Sequence, residues 1–446
     1  MFDRLRNLFG HQPHANSDVV EWNRLGRDYI VRLNRLIADA HNGSETGNAP
    51  EEPRTTALAQ TIVAAVEAED RAGRWRPDQP IADRAHAPFI DLLDGVGQNL
   101  NCICILGPDE FLVRPGTAYQ PRPALHLRGG TVTERPDILA AAMARHHDLL
   151  LLVGEAGFAV RPGLDQPPVR LLPWPEGVRP RALDNVAISD DGATILFVEN
   201  ETAVWLGQAE GDEARWTRVF PSAAFLAEHQ YDDDPEAEDI PWSDSMMHGA
   251  LSPDGQFLAY GSQCYGHFID RIDGVGSVRR WATISGASEY PHFACFSDDS
   301  AYAALNSCHF YHGATVGVRL ADLKENAASD EAQDADATLI DGRLRVYAAT
   351  WLPGGSDANG FALAGAGYLD IVSATGDVRH TVNFGSSASS IDYCPKTGLL
   401  AVASYSGFLH IYDPARIAAE GTVIGYRPIH ERYRWVLWRD RTPFRW

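Results

Sequence analysis

Histidine is the residue type whose spacing most invites chemistry in this chain of 446 residues. His267 and His292 precede the closely set pair His309 and His312 in Cys308-His309-Phe310-Tyr311-His312-Gly313. Neutral imidazole is a common ligand for zinc and iron, so one reading of these four is a metal site. The HxxH spacing lacks the glutamate of HExxH, and no carboxylate lies between the two histidines. Aromatic residues run through the same region: Trp242, Tyr265, Tyr290 and Tyr311, joined further on by Tyr405. Aromatic side chains set among polar ones suit a surface that anchors another protein, and that is the reading taken here. No metal and no cofactor are expected.

Other catalytic signatures are absent from the sequence. It has no GxSxG elbow, no GxxxxGK[ST] phosphate loop and no GxGxxG following a strand. Asp244, Glu289 and Asp392 fall near expected strand entries, too scattered to make a hydrolytic pair. A metal-dependent hydrolase is therefore kept as the alternative to a non-catalytic protein. Acidic residues crowd two insertions, one with Asp232, Asp233, Asp234, Glu236, Glu238 and Asp239, the other spanning Ala321 to Asp341. They read as solvated loops or as an anionic surface that grips a basic partner. A calcium site would need the DxDxDG spacing and its turn glycine.

The formal charge of −22 argues against nucleic acid, which selects a basic surface, and fits a positively charged partner. The residues before His11 lack the apolar core of a secretory signal, and no stretch reaches membrane-spanning length. The six cysteines sit mostly in strand-like apolar runs, as buried thiols in a reducing cytoplasm would. Cys102 and Cys104 form a CxC with no second pair to complete a zinc site.

The elements that must position these residues announce themselves by a recurring phrase. Ile188-Ser189-Asp190-Asp191-Gly192 runs into Ile195–Val198, Leu251-Ser252-Pro253-Asp254-Gly255 into Phe257–Tyr260, and Phe296-Ser297-Asp298-Asp299-Ser300 into Tyr302–Leu305. Trp351–Gly355 and Tyr393–Gly398 are weaker copies. Asp, Pro and Gly supply the dihedrals of a tight reversal, and the flanking runs are strand-length. A spacing of about 45 residues is the period of a four-stranded propeller blade.

Seven such units are expected, beginning near Asn99, His146, Arg181, Asp244, Ser288, Leu344 and Ser387. The tail from Tyr426, with Tyr433, Trp435 and Trp438 among Arg432, Arg434 and Arg439, reads as a last strand that closes the ring. Its arginines are expected to stack on its aromatic rings. Residues 1–97 read instead as a helical extension. Ser17-Asp18 offers an N-cap before Trp22, Leu25, Tyr29 and Leu33, and a second helix starts near Thr55 and ends before Gly73.

The segments LSPDGQFLAYGS, FSDDSAYAALNS and YCPKTGLLAVASYSGFLHIYDP resemble the inner strands and turn of WD40-type repeats, with Tyr412-Asp413 where that family closes a blade with Trp-Asp. The Gly-His dipeptide common before such blades is missing at its position. The resemblance implies an all-β, seven-bladed propeller over residues 98–446 that binds protein partners. The helical start and Trp-rich tail resemble bacterial propellers, some of which are immunity proteins for secreted toxins. The expectation is a cytoplasmic, non-catalytic propeller that occludes a basic toxin or effector domain; a scaffold role in a larger assembly is the third reading. The binding face expected comprises Trp242, Tyr265, His267, Tyr290, His292, His309, Tyr311, His312 and Tyr405, with Asp232, Asp233 and Asp234 beside it.

Overall fold

Described here, from a computed structural model, are residues 13–44, 47–76, 89–146, 148–200, 202–210, 213–228, 246–262, 266–284, 291–309, 312–323, 337–341, 345–353, 359–419, 423–425 and 431–446. The recurring phrase folds into one repeated hydrogen-bond pattern. Ser189 Oγ donates to Asp191 Oδ1 (2.6 Å) and accepts from the backbone N–H of Thr194 (2.9 Å), while Asp191 Oδ1 also accepts from Ala193 N–H (2.8 Å). Ser252 with Asp254, and Ser297 with Asp299, repeat the arrangement. Each turn ends on a left-handed residue, Gly192 (φ 66°), Gly255 (φ 70°) or Ser300 (φ 56°). The turns also touch one another: Asp190 N–H donates to Pro253 O, and Asp254 N–H to Ser300 Oγ.

An alanine Cβ at Gly255 would lie 3.1 Å from Ser189 Cβ, whereas at Gly398 (φ 66°) it would meet nothing within 4 Å. The left-handed penalty of about 1–2 kcal/mol applies at both sites, and crowding adds to it only at the first. Gly255→Ala should therefore destabilise the fold more than Gly398→Ala in parallel urea titrations.

Strands dominate the described residues, which form five four-stranded antiparallel sheets and one eight-stranded sheet. The first sheet holds β1 (Leu100–Gly107), β2 (Glu110–Pro115), β3 (Ala124–Arg128) and β4 (Thr131–Arg135). The second holds β5 (Ala140–Met143), β6 (Leu150–Gly154), β7 (Gly157–Arg161) and β8 (Arg170–Leu172). The third is β9 (Val186–Ile188), β10 (Thr194–Glu199), β11 (Ala203–Glu210) and β12 (Glu213–Phe220). The fourth is β13 (His248–Leu251), β14 (Phe257–Ser262), β15 (Gly266–Gly274) and β16 (Ser277–Ile284). The fifth is β17 (Pro291–Phe296), β18 (Tyr302–His309), β19 (His312–Arg319) and β20 (Ala337–Asp341).

The eight-stranded sheet contains β21 (Val346–Leu352), β22 (Gly360–Ser373), β23 (Val378–Cys394), β24 (Leu399–Ser404), β25 (Phe408–Tyr412), β26 (Val423–Gly425), β27 (Glu431–Val436) and β28 (Phe444–Arg445). Its long strand β23 serves two neighbours. The N-terminal part pairs with β22 and, in parallel, with β26; the part from Ala388 pairs with β24.

Within each four-stranded sheet the strands follow chain order, and successive sheets meet through their first strands. β1 lies against β5, β5 against β9, β9 against β13, β13 against β17, β17 against β21, and β23 against both β21 and β1. Apolar side chains fill the seams: Phe158 stacks on Phe197 between the second and third sheets, and Trp351 stacks on Tyr302 between the fifth and the eight-stranded sheet. Polar bonds finish the contact between β23 and β1, with Ser389 Oγ donating to Leu100 O (2.6 Å) and Asp392 Oδ2 accepting from Ile105 N–H (2.9 Å).

Helices α1 (Pro13–His41), α2 (Thr56–Arg71) and α3 (Ile90–Val96) pack on the outer strands of the eight-stranded sheet, where Trp22, Val63 and Phe89 meet Phe408, Trp438 and Trp446. Thr55 caps α2 by accepting from Leu58 N–H. Arg445 ties the helices down: it pairs with Asp70 of α2 (2.8 Å) and with Asp109, and its guanidinium lies 3.9 Å over Trp75. Arg441 over Trp438 and Arg445 over Trp435 stack within the tail as expected, whereas Arg434 lies over Phe408 of β25.

Several boundaries differ from the sequence reading. Helix α1 starts at Pro13, so Ser17 and Asp18 lie inside it rather than at its cap. The second sheet begins with β5, ahead of His146, because the run Ala140–Met143 becomes a strand through pairing with β6 rather than by intrinsic preference. The acidic insertion ends in strand β20 instead of remaining loop to Asp341. The tail strand β27 pairs with β25 at the outer side of its own sheet, and β28 pairs with β27 in turn. At Cys102 (φ 52°) a bulge in β1 interrupts the pairing with β2, so the CxC pair is not a plain strand segment with both residues on one face. Among the described residues, no helix is long and apolar enough to cross a membrane.

Candidate functional site

The first strands of the sheets line two cavities that run into each other. The larger, about 460 Å³, lies where those strands begin, with Asn99, Asn185, His248, Phe293 and Tyr347 on its walls. The smaller, about 280 Å³, lies where they end, beside Cys102, Arg145, Cys295 and Asp392. Asp184, Asn185, Ala294, Ala349, Ser390 and Ile391 line both, so the two cavities adjoin.

Each end has its own character. Tyr119 (61% exposed) and Tyr405 (50% exposed) stand at the entry end, Tyr405 edge-on to Tyr347 at 6.4 Å between ring centroids. Tyr119 is held there by donating from its hydroxyl to Asn200 O (3.2 Å). Asp184, an acidic residue on this wall, already accepts from Arg114, Asn101 and Ala118 N–H. Arg145 crosses the exit end. It follows β5 of the second sheet, yet donates to Asp298 Oδ1 (2.6 Å), Tyr393 O (2.6 Å) and Trp351 O (2.8 Å) on the opposite side. One side chain thus ties residues of three other turns across that opening.

Burial governs the titrating groups here. It pushes the Asp392 carboxyl above the ordinary carboxylate range, against the pull of the Ile105 N–H and Arg145. It pushes the Cys295 thiol up to about 12, which makes a poor nucleophile of it. Among the described residues no three His, Cys, Asp or Glu side chains gather as a metal site would require.

Of the residues expected on a binding face, Tyr405 stands at the entry mouth. His267 does not face solvent: it is 1% exposed and packs edge-on to His248, ring centroids 5.3 Å apart. The strand registers explain the pair. Gly261 is opposite His248 on one side and His267 on the other, and a Cβ on Gly261 would come within 3.0 Å of both rings. His248 is not among the residues expected on that face, because nothing local in the sequence marks its pairing with His267 across Gly261. His292, His309 and His312 lie on strands, with His309 opposite His312 in register. Trp242, Tyr265, Tyr290, Tyr311, Asp232, Asp233 and Asp234 lie outside the described residues.

Burial, reinforced by the neighbouring His248, drives the His267 ring well below its ordinary value, so it is neutral in the fold. The unfolded chain binds a proton there near pH 6.5 and the native chain does not. The stability this site contributes is complete above pH 6.5 and falls by about 1.4 kcal/mol per pH unit below it. His267→Gln should flatten that acid-side loss when urea stability is followed from pH 7.5 to 5.

No protein-family model and no curated protein matches the chain. Among solved structures, hydrazine synthase from Kuenenia stuttgartiensis is similar at 14% identity and a TM-score of 0.40, covering 65% of this chain and 80% of that one. Likeness at that level carries no argument about function.

Proposed function

We propose that the chain is a seven-bladed propeller of WD40 type that binds a basic protein without catalysing a reaction. Counting β23 as two strands divides the eight-stranded sheet into two units, β21-β22-β23-β26 and β23-β24-β25-β27-β28, which with the other five sheets makes seven blades, the last with β28 as a fifth, outer strand. The β1–β23 contact would then close the ring, and the two cavities would be its central channel. The observation that carries the binding role is the entry end of that channel. It is edged by exposed tyrosines and belongs to a protein of charge −22. Aromatic anchors in such a rim supply affinity, while the overall charge speeds encounter and makes it sensitive to salt.

The partner is a toxin or effector domain of basic charge, neutralised by covering its active site, as in the immunity proteins found among the bacterial propellers that the helical start and tail resemble. Capture with the full-length chain from its native cell should recover one basic protein in stoichiometric amount, retained at low salt and released as salt rises. Changing Tyr311 and His312 together to Ala should cut its affinity at least tenfold without altering the unfolding midpoint. Capture of only acidic or substoichiometric proteins would remove the reading.

A further inference from the structure

We infer that His248 and His267 form an acid-released latch on the wall of the entry cavity: taking up a proton parts β13 from β15 and opens that wall. Its consequence for binding rests on the reading above. His248 is the first residue of β13 and lines the cavity. His267 packs against it from β15, and both rings crowd Gly261, which is opposite each of them in register. The ring centroids are 5.3 Å apart and both residues are buried. His248 Nδ1–H donates to Met246 O (3.2 Å), so the approach to the strand is tied to the same pair. That approach is strained, since Met246 is left-handed (φ 60°) without being glycine, and β13 is four residues long. A short strand entered through strain is the kind of unit that opens ahead of the whole fold.

Nothing on the strands packed against the pair would hold an added proton. The carboxylates of β15 are Asp270, which accepts from Tyr260 of β14 and from Arg280 of β16, and Asp273, which pairs with Arg271 and Arg279. Glu199 of β10 accepts from Trp205 Nε1 (3.0 Å), and Asp184 on the cavity wall pairs with Arg114. The titratable residues of β17 are His292 and Cys295, and neither brings a negative charge, since burial keeps the thiol protonated. An imidazolium buried among such neighbours is costly. Burial and His248 accordingly drive the His267 ring well below its ordinary value, and the Phe293 backbone opposes them only in part. The proton is therefore bound where the ring reaches water, and the cavity wall at His248 must part for that.

The test follows amide hydrogen exchange of the full-length chain from pH 7.5 to 5.5, each rate corrected for its intrinsic pH dependence. One proton taken up on opening predicts that protection over residues 247–251 and 267–269 falls about tenfold per pH unit below pH 6.5. The loss should be the same in dilute urea, because local opening exposes little surface, while β6 stays protected. His267→Gln should remove the pH dependence; should that variant not fold, the wild-type slopes decide alone. Protection in these strands that is flat with pH, or that falls only together with β6 at the rate of global unfolding, would overturn the latch. A captured partner that binds equally at pH 7.5 and 5.5 while the strands open would overturn the latch's part in binding and leave partner binding intact. Strand opening with nothing captured would keep the latch and remove the partner.

Discussion

Replacing Glu431 with Gln is expected to cost about 3–5 kcal/mol, the usual penalty for leaving a buried charge without its partner. Glu431, on β27, accepts from Arg434 Nε (2.8 Å) and Nη2 (2.6 Å) and pairs with His410 Nδ1 (3.0 Å), and all three residues are buried. The amide keeps the volume but cannot balance the guanidinium held over Phe408. Burial alone would push the Glu431 carboxyl up; Arg434 and His410 outweigh it and hold the group far below its ordinary 4.5. Its contribution is therefore complete above pH 4.5 and is lost progressively as pH falls from there toward the much lower folded value. Urea unfolding at pH 7 should show the full difference between wild type and Glu431→Gln. Because β27 is the strand on which α2, α3 and β28 depend, local protection in those helices should fall with it. Equal stability of the two proteins would mean that the triad is not formed as described.

Arg145→Ala should remove about 3 kcal/mol, through a different mechanism. Asp298 is only 11% exposed and would lose its ion-pair partner, while Tyr393 O and Trp351 O would each lose a charge-assisted donor. Arg145→Lys retains the charge but cannot reach three acceptors with one planar fork, so it should recover less than half of the loss. The alanine variant also opens the exit end. Alkylation of Cys102 and Cys295, which line that cavity, should then proceed faster in the native state than in wild type. Unchanged stability and unchanged alkylation together would show that Arg145 does not span the opening.

The repeats were legible in the sequence because each turn is local chemistry. A Ser, an Asp two residues on and a left-handed Gly form a closed set of bonds within six residues, so Ser189, Ser252 and Ser297 mark their turns wherever they occur. What the sequence hid depends on partners far along the chain. The Ala-rich strand β5 exists because β6 pairs with it, and β26 is three residues beside a strand that also serves another neighbour. The passage was half legible. Tyr405 belongs to the aromatic set that the sequence marks, but Asn99 and Asn185 have no local signature, and Arg145 meets Asp298 only once the sheets are in place. His267 was misjudged because its cluster suggested a surface, whereas pairing across Gly261 buries it against His248.

The most direct test of a charge-steered, stoichiometric binder is a titration of the captured partner into the purified full-length protein at low and physiological salt. One-to-one binding, with the association rate falling steeply as salt rises and the dissociation rate nearly unchanged, is the predicted result. Turnover of any substrate by the chain alone, or an association rate indifferent to salt, would contradict it.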